Sequence, residues 1–131
     1  MIFVDTSAWF AYAIPDDEHH EDAVRWVRQN RLPLVTTDYI IDKTLTLLQA
    51  RAQTLRATQL GELLFGGNLA QLRFLRQDNI LSAWQVFRQY TDKDWSFTDC
   101  TSRVVMEELG ITQAFSFDQH FRQFGTVAVL P

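Results

Sequence analysis

The sequence has 131 residues, of which 47% are hydrophobic and 21% charged, and its formal net charge is −4. This size predicts one globular domain spanning residues 1–131. The negative charge argues against a protein that coats nucleic acid through a broad basic face. Cys100 is the only cysteine, which excludes an internal disulfide and predicts a small buried thiol. Short apolar stretches and the lack of a secretory-signal pattern predict a cytoplasmic protein that does not contact a membrane.

Short apolar segments alternate with amphipathic ones along the first half of the chain. Residues 2–4 predict a strand, and residues 5–7 are suited to cap a helix over residues 8–13. Pro15 and the acidic residues 16–18 end that helix and open another, with an apolar face between Ala23 and Val27. Residues 32–35 predict the second strand. Residues 36–38 then cap a third helix with an apolar face.

The second half continues this alternation. A helix over residues 53–64 precedes a strand over residues 69–75, and a helix begins at Asp78. A further helix is predicted from about Phe97 to Leu109, then a strand over residues 113–116, a short helix from Asp118 to Gly125, and a last strand over residues 127–130. This order predicts a doubly wound α/β fold, with parallel strands in one sheet and helices on both of its faces.

Three aspartates have positions that suit a shared site. Asp5 and Asp118 each follow a predicted strand, and Asp99 lies in the first turn of a late helix. Functional groups of doubly wound sheets collect beyond the carboxyl ends of the strands, so one pocket could contain all three. Carboxylates suit Mg²⁺ or Mn²⁺, which convert a bound water into a nucleophile. Taken singly, Asp5 and Asp118 are equally well explained as helix caps, and Asp99 as a complement to the helix dipole.

Four segments, in order along the chain, resemble the PIN-domain family, and especially the VapC-type ribonuclease toxins of prokaryotic toxin–antitoxin pairs. They are residues 2–8 (IFVDTSA), 36–45 (TTDYIIDKTL), 96–100 (SFTDC) and 115–121 (FSFDQHF). The resemblance implies a PIN-like three-layer α/β/α fold with a central parallel sheet of about five strands. It also implies an endonuclease that cuts RNA with Mg²⁺ or Mn²⁺, a cognate antitoxin protein as partner, and a homodimer.

The resemblance also assigns roles to single residues. Asp5 and Asp99 match the principal metal-binding acids of the family, and Asp118 matches a supporting acid. Ser7 matches a hydroxyl that hydrogen-bonds within the site. Despite the negative net charge, a few arginines can supply contacts to RNA phosphates; the candidates are Arg73, Arg76, Arg103 and Arg122.

The chain departs from the family pattern at Lys43, where the family usually has glutamate. The neighbouring Asp42 is rotated by about 100° around the helix, so it replaces the glutamate only if the helix shifts or turns. Lys43 could weaken metal binding, act as a tethered counter-ion to the three aspartates, or extend into solvent and leave three acids for one metal. We therefore expect the family fold with reduced nuclease activity.

Two other functions remain open. Lys43 makes a catalytically silent PIN module, which acts only by binding protein or RNA, a credible alternative. A metal-dependent phosphatase of the doubly wound class would use an aspartate after its first strand as nucleophile. That class usually has a second aspartate two residues later, where this chain has Ser7, so we disfavour this alternative.

A few further residues have both a functional and a structural interpretation. His19 and His20 lie among acidic residues and could hold a second metal, although a solvated helix start explains them better. His120 could approach the substrate or simply occupy a surface turn. Trp95 is the best candidate for an exposed ring that stacks on RNA bases. The apolar residues between positions 38 and 64 could form an antitoxin groove or a homodimer face.

Overall fold

The computed structural model describes residues 1–131 and contains one sheet of five parallel strands. The strands are β1 (Ile2–Val4), β2 (Leu34–Thr37), β3 (Gln71–Arg73), β4 (Gln113–Phe115) and β5 (Ala128–Leu130). Their order across the sheet is β3-β2-β1-β4-β5, so the direction of winding reverses between β1 and β4. This arrangement confirms the predicted α/β class with a five-stranded parallel sheet.

Six α-helices and one short 3₁₀ helix connect the strands. They are α1 (Thr6–Ala13), α2 (His20–Gln29), α3 (Asp38–Ala50), α4 (Thr54–Phe65), α5 (Gln77–Gln89), α6 (Phe97–Leu109) and the 3₁₀ helix Gln119–Phe124. None of these helices is long and apolar enough to cross a membrane.

Burial of the central strand fixes the position of the residues that follow it. Ile2, Phe3 and Val4 are at most 2% exposed, as expected for a parallel strand paired on both sides and covered by helices. Phe3 lies in register with Val35 of β2 and Ala114 of β4. Asp5, which directly follows β1, is therefore fixed near the middle of the edge formed by the carboxyl ends of the strands.

Local turn chemistry explains why some elements begin later than the sequence suggests. The second helix begins at His20, because residues 14–19 form a turn in which the Asp17 carboxylate accepts a hydrogen bond from the His19 amide at 2.9 Å. The second strand includes Thr36, whose buried hydroxyl donates to the Val4 carbonyl and accepts from the Trp9 indole. Because this hydroxyl has hydrogen-bond partners inside the sheet, Thr36 extends the strand instead of capping the next helix.

Trp95 is buried, so the prediction that its ring is exposed for RNA stacking was wrong. The side chain is 6% exposed and packs against Tyr90 and Phe124. Its indole nitrogen donates to Gln123 at 2.9 Å, and the Arg103 guanidinium lies 5.4 Å from the ring centroid. Packing between α6 and the 3₁₀ helix satisfies both the apolar and the polar part of this residue.

Candidate metal centre

The candidate site lies where the winding of the sheet reverses. Asp5 follows β1, Asp118 follows the neighbouring strand β4, and Asp99 lies in the first turn of α6. The carboxyl ends of two parallel strands on either side of such a reversal leave a crevice between their loops. The three predicted acids therefore belong to the edge of the sheet where ligands of this fold class bind.

Asp5 is held by two serines. It is 3% exposed, and its Oδ2 atom accepts hydrogen bonds from the Ser7 hydroxyl at 2.9 Å and the Ser116 hydroxyl at 3.1 Å. The Ser7 amide donates to the same oxygen at 3.3 Å, so Asp5 also caps α1. Both hydroxyls bind the same oxygen, which leaves Oδ1 without a hydroxyl donor. Asp5 can therefore serve both as a helix cap and as a functional residue.

Burial raises the pKa of the Asp5 carboxyl, because the charged form loses its hydration. The hydrogen bond from Ser7 opposes this shift, and the negative charge of Asp99 adds to it. The carboxylate is therefore destabilised in the folded protein unless a positive charge is close. A buried acid in this condition is typical of functional sites.

Asp99 and Asp118 come from different elements and share one imidazole. The buried Asp99 accepts a hydrogen bond from the Ser96 amide at 2.9 Å within a capping box. Its Oδ2 atom lies 3.2 Å from Nδ1 of His120, and Oδ1 of Asp118 lies 3.3 Å from the same nitrogen. Asp118 also caps the 3₁₀ helix by accepting from the His120 amide at 2.9 Å.

The donor set suits a divalent metal ion. One ligand atom each from Asp99, Asp118 and His120 lies within 4.8 Å of the others, and no second group of three such side chains occurs in the chain. Asp5 does not belong to this group of three, but it lies close enough to Asp99 for the negative charge of Asp99 to raise its pKa. Carboxylate and imidazole donors are ordinary ligands of divalent ions. The residues present therefore fit the group that the family resemblance implies.

Lys43 lies on the face of α3 that approaches the start of α6. One turn earlier on this face, the ring of Tyr39 lies 6.5 Å from that of Phe97. Lys43 is half-buried and forms no ion pair within 4.0 Å, so no direct salt bridge joins it to the aspartates. Asp42 is exposed, as its rotation around the helix predicts.

Of the four candidate arginines, three have their charge engaged elsewhere. Arg73 and Arg76 pair with Glu108, and Arg103 pairs with Glu107. Arg122 makes no ion pair and lines an open cavity of about 450 Å³ beside Asp118. A phosphate contact next to the acidic site is therefore best supplied by Arg122.

The same cavity contains an aromatic pair. The rings of His19 and Phe117 are stacked with centroids 4.4 Å apart, and both residues line the cavity. His20 instead bonds the Ala11 carbonyl at 2.8 Å. Neither histidine belongs to the group of three ligand side chains described above.

Sequence reasoning missed two contributors to the site. Ser116 bonds Asp5 and also accepts from the Asp118 amide at 3.0 Å. The sequence leaves a substrate contact and a surface turn open for His120, and it does not predict that the ring lies between two carboxylates. The spacing Asp118-x-His120 after a strand was the available signal. The lone Cys100 is buried as predicted, and burial raises the pKa of its thiol to about 11.

Comparison with known proteins agrees with this geometry. The PIN-domain family profile matches residues 2–127. The 23S rRNA-specific endonuclease VapC20 of Mycobacterium tuberculosis is 31% identical over 131 residues, which are 100% of this chain and 99% of that protein. A VapC ribonuclease of Archaeoglobus fulgidus is 30% identical over 128 residues, covering 90% of this chain and 77% of that protein.

Solved structures show the same fold. The crystal structure of Mycobacterium tuberculosis VapC20, described as a sarcin-ricin loop cleaving toxin, has a TM-score of 0.93 at 29% identity and covers 100% of both chains. FitAcB from Neisseria gonorrhoeae has a TM-score of 0.72 at 15% identity, covering 100% of this chain and 97% of that chain, and it supports the fold alone. The chain belongs to the PIN-domain family and, within it, to the VapC-type ribonuclease toxins.

Proposed function

We propose that this protein is a metal-dependent endonuclease that cuts RNA by phosphodiester hydrolysis and that its substrate is ribosomal RNA. The observation that carries the proposal is the placement of Asp5, Asp99 and Asp118 at the reversal of the sheet. Similarity over the full length to an enzyme named for 23S rRNA supports the substrate class. Activity on ribosomal RNA would take place in the cytoplasm.

The residues of the site would have different roles in hydrolysis. Asp5, Asp99 and Asp118 would hold the ion, and the hydroxyls of Ser7 and Ser116 orient the Asp5 carboxylate for this role. When bound, Mg²⁺ or Mn²⁺ would offset the negative charge of the phosphate and make the attacking water easier to deprotonate. The water oxygen forms a bond to phosphorus, one phosphorus–oxygen ester bond breaks, and the leaving oxygen takes up a proton. One of the three carboxylates would accept the proton that the water loses.

RNA would enter beside Asp118. Arg122 offers a charge to a backbone phosphate, and the exposed side of the His19–Phe117 pair offers a surface on which a base can stack. Arg122 and the aromatic pair lie beside Asp118 and form no ion pair with the acids of the site. The cavity therefore suits a nucleotide next to the bond that is cut.

The direct test is incubation of ribosomes and total RNA with the protein and Mn²⁺, followed by mapping of new RNA ends. We expect cleavage that EDTA abolishes and that Asp99→Asn reduces at least a hundredfold, which is about 2.7 kcal/mol of lost transition-state stabilisation. Glu107→Gln is the matched control, because Glu107 lies on the exposed side of the same helix and pairs only with Arg103. Equal cleavage by the wild type and Asp99→Asn would refute the proposal.

We further propose that Lys43 reduces this activity. Replacing a carboxylate by an ammonium changes the local charge by two units, and one charge pair at about 4 Å contributes roughly 4 kcal/mol at an effective dielectric constant of about 20. Lys43→Glu should raise Mn²⁺-dependent cleavage. Lys93→Glu makes the same charge change in the loop before α6, at the only other lysine in the chain, and should have no effect. Equal cleavage by Lys43→Glu and this chain would show that the lysine is harmless.

A second candidate function is a catalytically silent module that binds protein or RNA. Lys43, half-buried on the face of α3 that approaches the start of α6, favours it. Titration with Mn²⁺ separates the two functions, because a silent module shows no Mn²⁺ binding that depends on Asp5 and Asp99. Binding that both Asp5→Asn and Asp99→Asn remove would support the nuclease.

We also propose protein partners, namely a cognate antitoxin and a second copy of this chain. The region that suggested them, residues 38–64, does present exposed apolar side chains on α4: Leu55 is 73% exposed and Leu63 46% exposed. Phe65, the last residue of α4, is 60% exposed. Sedimentation equilibrium of the wild type and Leu63→Glu tests the homodimer. A monomeric wild type would contradict it.

A further inference from the structure

The imidazole of His120 has an unusual position for a surface histidine. Asp118 caps the 3₁₀ helix through the His120 amide, and this turn directs the His120 ring back towards α6. Nδ1 then lies 3.2 Å from Asp99 Oδ2 and 3.3 Å from Asp118 Oδ1, and about a quarter of the side chain is exposed. A nitrogen donor thus lies between carboxylates of two separate elements.

The distances match those between neighbouring ligands of one ion. An ion with bonds of about 2.1 Å and right angles between them has adjacent ligand atoms about 3 Å apart. The two measured separations, 3.2 and 3.3 Å, are close to this value. All three ligand atoms lie within 4.8 Å of one another, so small side-chain adjustments suffice to surround an ion.

The number of carboxylates available to the ion suggests a role for the nitrogen donor of His120. The family resemblance implies a glutamate at the position of Lys43, so this chain has one carboxylate fewer on α3 than that pattern. A neutral imidazole restores a ligand without restoring the charge. It also changes the preference of the site, because Mg²⁺ is held by oxygen atoms whereas imidazole is a ligand of transition metals.

We propose that His120 is a nitrogen ligand of the catalytic ion in this chain and that it makes the site select Mn²⁺ over Mg²⁺. The proposal rests on the nuclease site described under the proposed function, since the same ion would serve cleavage. The competing explanation is that His120 is only a counter-ion of Asp99 and Asp118. In that case it competes with metal, and its removal strengthens metal binding.

Calorimetric titration of the full chain with MnCl₂ and with MgCl₂, at one fixed pH, separates these explanations. We expect tighter binding of Mn²⁺, a loss of at least tenfold in Mn²⁺ affinity in His120→Ala, and a smaller loss for Mg²⁺. His120→Asp should bind Mg²⁺ better than the wild type does. His20→Ala is the matched control, because His20 bonds the Ala11 carbonyl away from the acids. His120→Asn serves as the second variant if the alanine variant does not fold.

Pulsed electron paramagnetic resonance of bound Mn²⁺ supplies a readout independent of activity. A ¹⁴N coupling from a directly bound imidazole should be present in the wild type and in His20→Ala, and absent in His120→Ala. No coupling in the wild type, or Mn²⁺ binding by His120→Ala as tight as wild type, would overturn the inference. Nitrogen-coupled Mn²⁺ without RNA cleavage would refute the proposed function alone, whereas cleavage without the coupling would refute only the role of His120.

Discussion

At the scale of single residues, the site is governed by how the protein holds a buried carboxylate. Asp5 is 3% exposed, and Ser7 and Ser116 donate hydroxyl hydrogen bonds to one of its oxygens. These bonds orient the side chain but do not remove the cost of burying its charge, since the net effect on its pKa is upward. A nearby positive charge would therefore stabilise the charged form of Asp5 in the folded protein.

Stability without metal should reflect this cost. A folded-state pKa above the ordinary value of 3.8 means that the contribution of Asp5 to stability is full below that pH and is lost as the pH rises through the raised pKa. Asp5→Asn does not ionise and keeps an acceptor for the serines. In EDTA, the free energy of unfolding of Asp5→Asn relative to wild type should therefore increase as the pH rises from about 4 towards neutral.

Urea denaturation across this pH range measures the difference directly. Asp16→Asn, at an exposed residue outside the site, is the control and should show no such trend. A difference between Asp5→Asn and wild type that does not vary with pH would contradict the raised pKa.

At the scale of elements, helix caps place the functional groups. Ser96 accepts from the Asp99 amide at 3.1 Å, and the Asp99 carboxylate accepts from the Ser96 amide at 2.9 Å. This capping box begins α6 and at the same time fixes the rotamer of Asp99. One local motif therefore serves both the helix and the site.

Ser96→Ala should remove part of this support. Loss of an N-cap costs about 1 kcal/mol, which corresponds to a decrease in Tm of roughly 3–6 °C for a domain of this size. Mn²⁺ affinity should decrease as well, because Asp99 is less well held. Ser96→Asp preserves the cap and should restore most of the stability, while Ser82→Ala, in the exposed middle of α5, is the neutral control. An unchanged Tm in Ser96→Ala would show that the cap is unimportant.

The caps also explain which features the sequence predicts. Asp5, Ser96 and Asp118 act on neighbours within three residues, so strand ends, helix starts and the three acids follow from local pattern. The contact between His120 and Asp99 joins residues 21 positions apart and depends on the 3₁₀ turn. The burial of Trp95 depends on the same turn. Such contacts arise from packing between elements, which no local pattern specifies.

At the scale of the whole molecule, a negative net charge is combined with a proposed substrate, RNA, that is itself an anion. The net charge is −4, and Arg73, Arg76 and Arg103 pair with glutamates. Few cations are then free to displace counter-ions from RNA. We expect RNA affinity to depend only weakly on salt and to depend on Arg122 more than on the paired arginines.

Arg122→Ala tests this expectation. Removal of one phosphate contact should lower the slope of log affinity against log salt by about one unit. Arg76→Ala removes an arginine held by Asp78 and Glu108 and should leave the slope nearly unchanged. Fluorescence anisotropy with a labelled RNA in Ca²⁺ buffer measures both variants. A larger change in Arg76→Ala would place the RNA on another surface.

We propose that the carboxylates at the reversal of the sheet are the cleavage site of an RNA endonuclease and that Lys43 weakens it. The most direct measurement is the single-turnover cleavage rate of ribosomal RNA in Mn²⁺ for this chain, Lys43→Glu, and the double variant Lys43→Glu/Asp5→Asn. We predict that Lys43→Glu cleaves at least tenfold faster than this chain, about 1.4 kcal/mol, and that the double variant is inactive. Cleavage by the double variant as fast as by Lys43→Glu would contradict the claim.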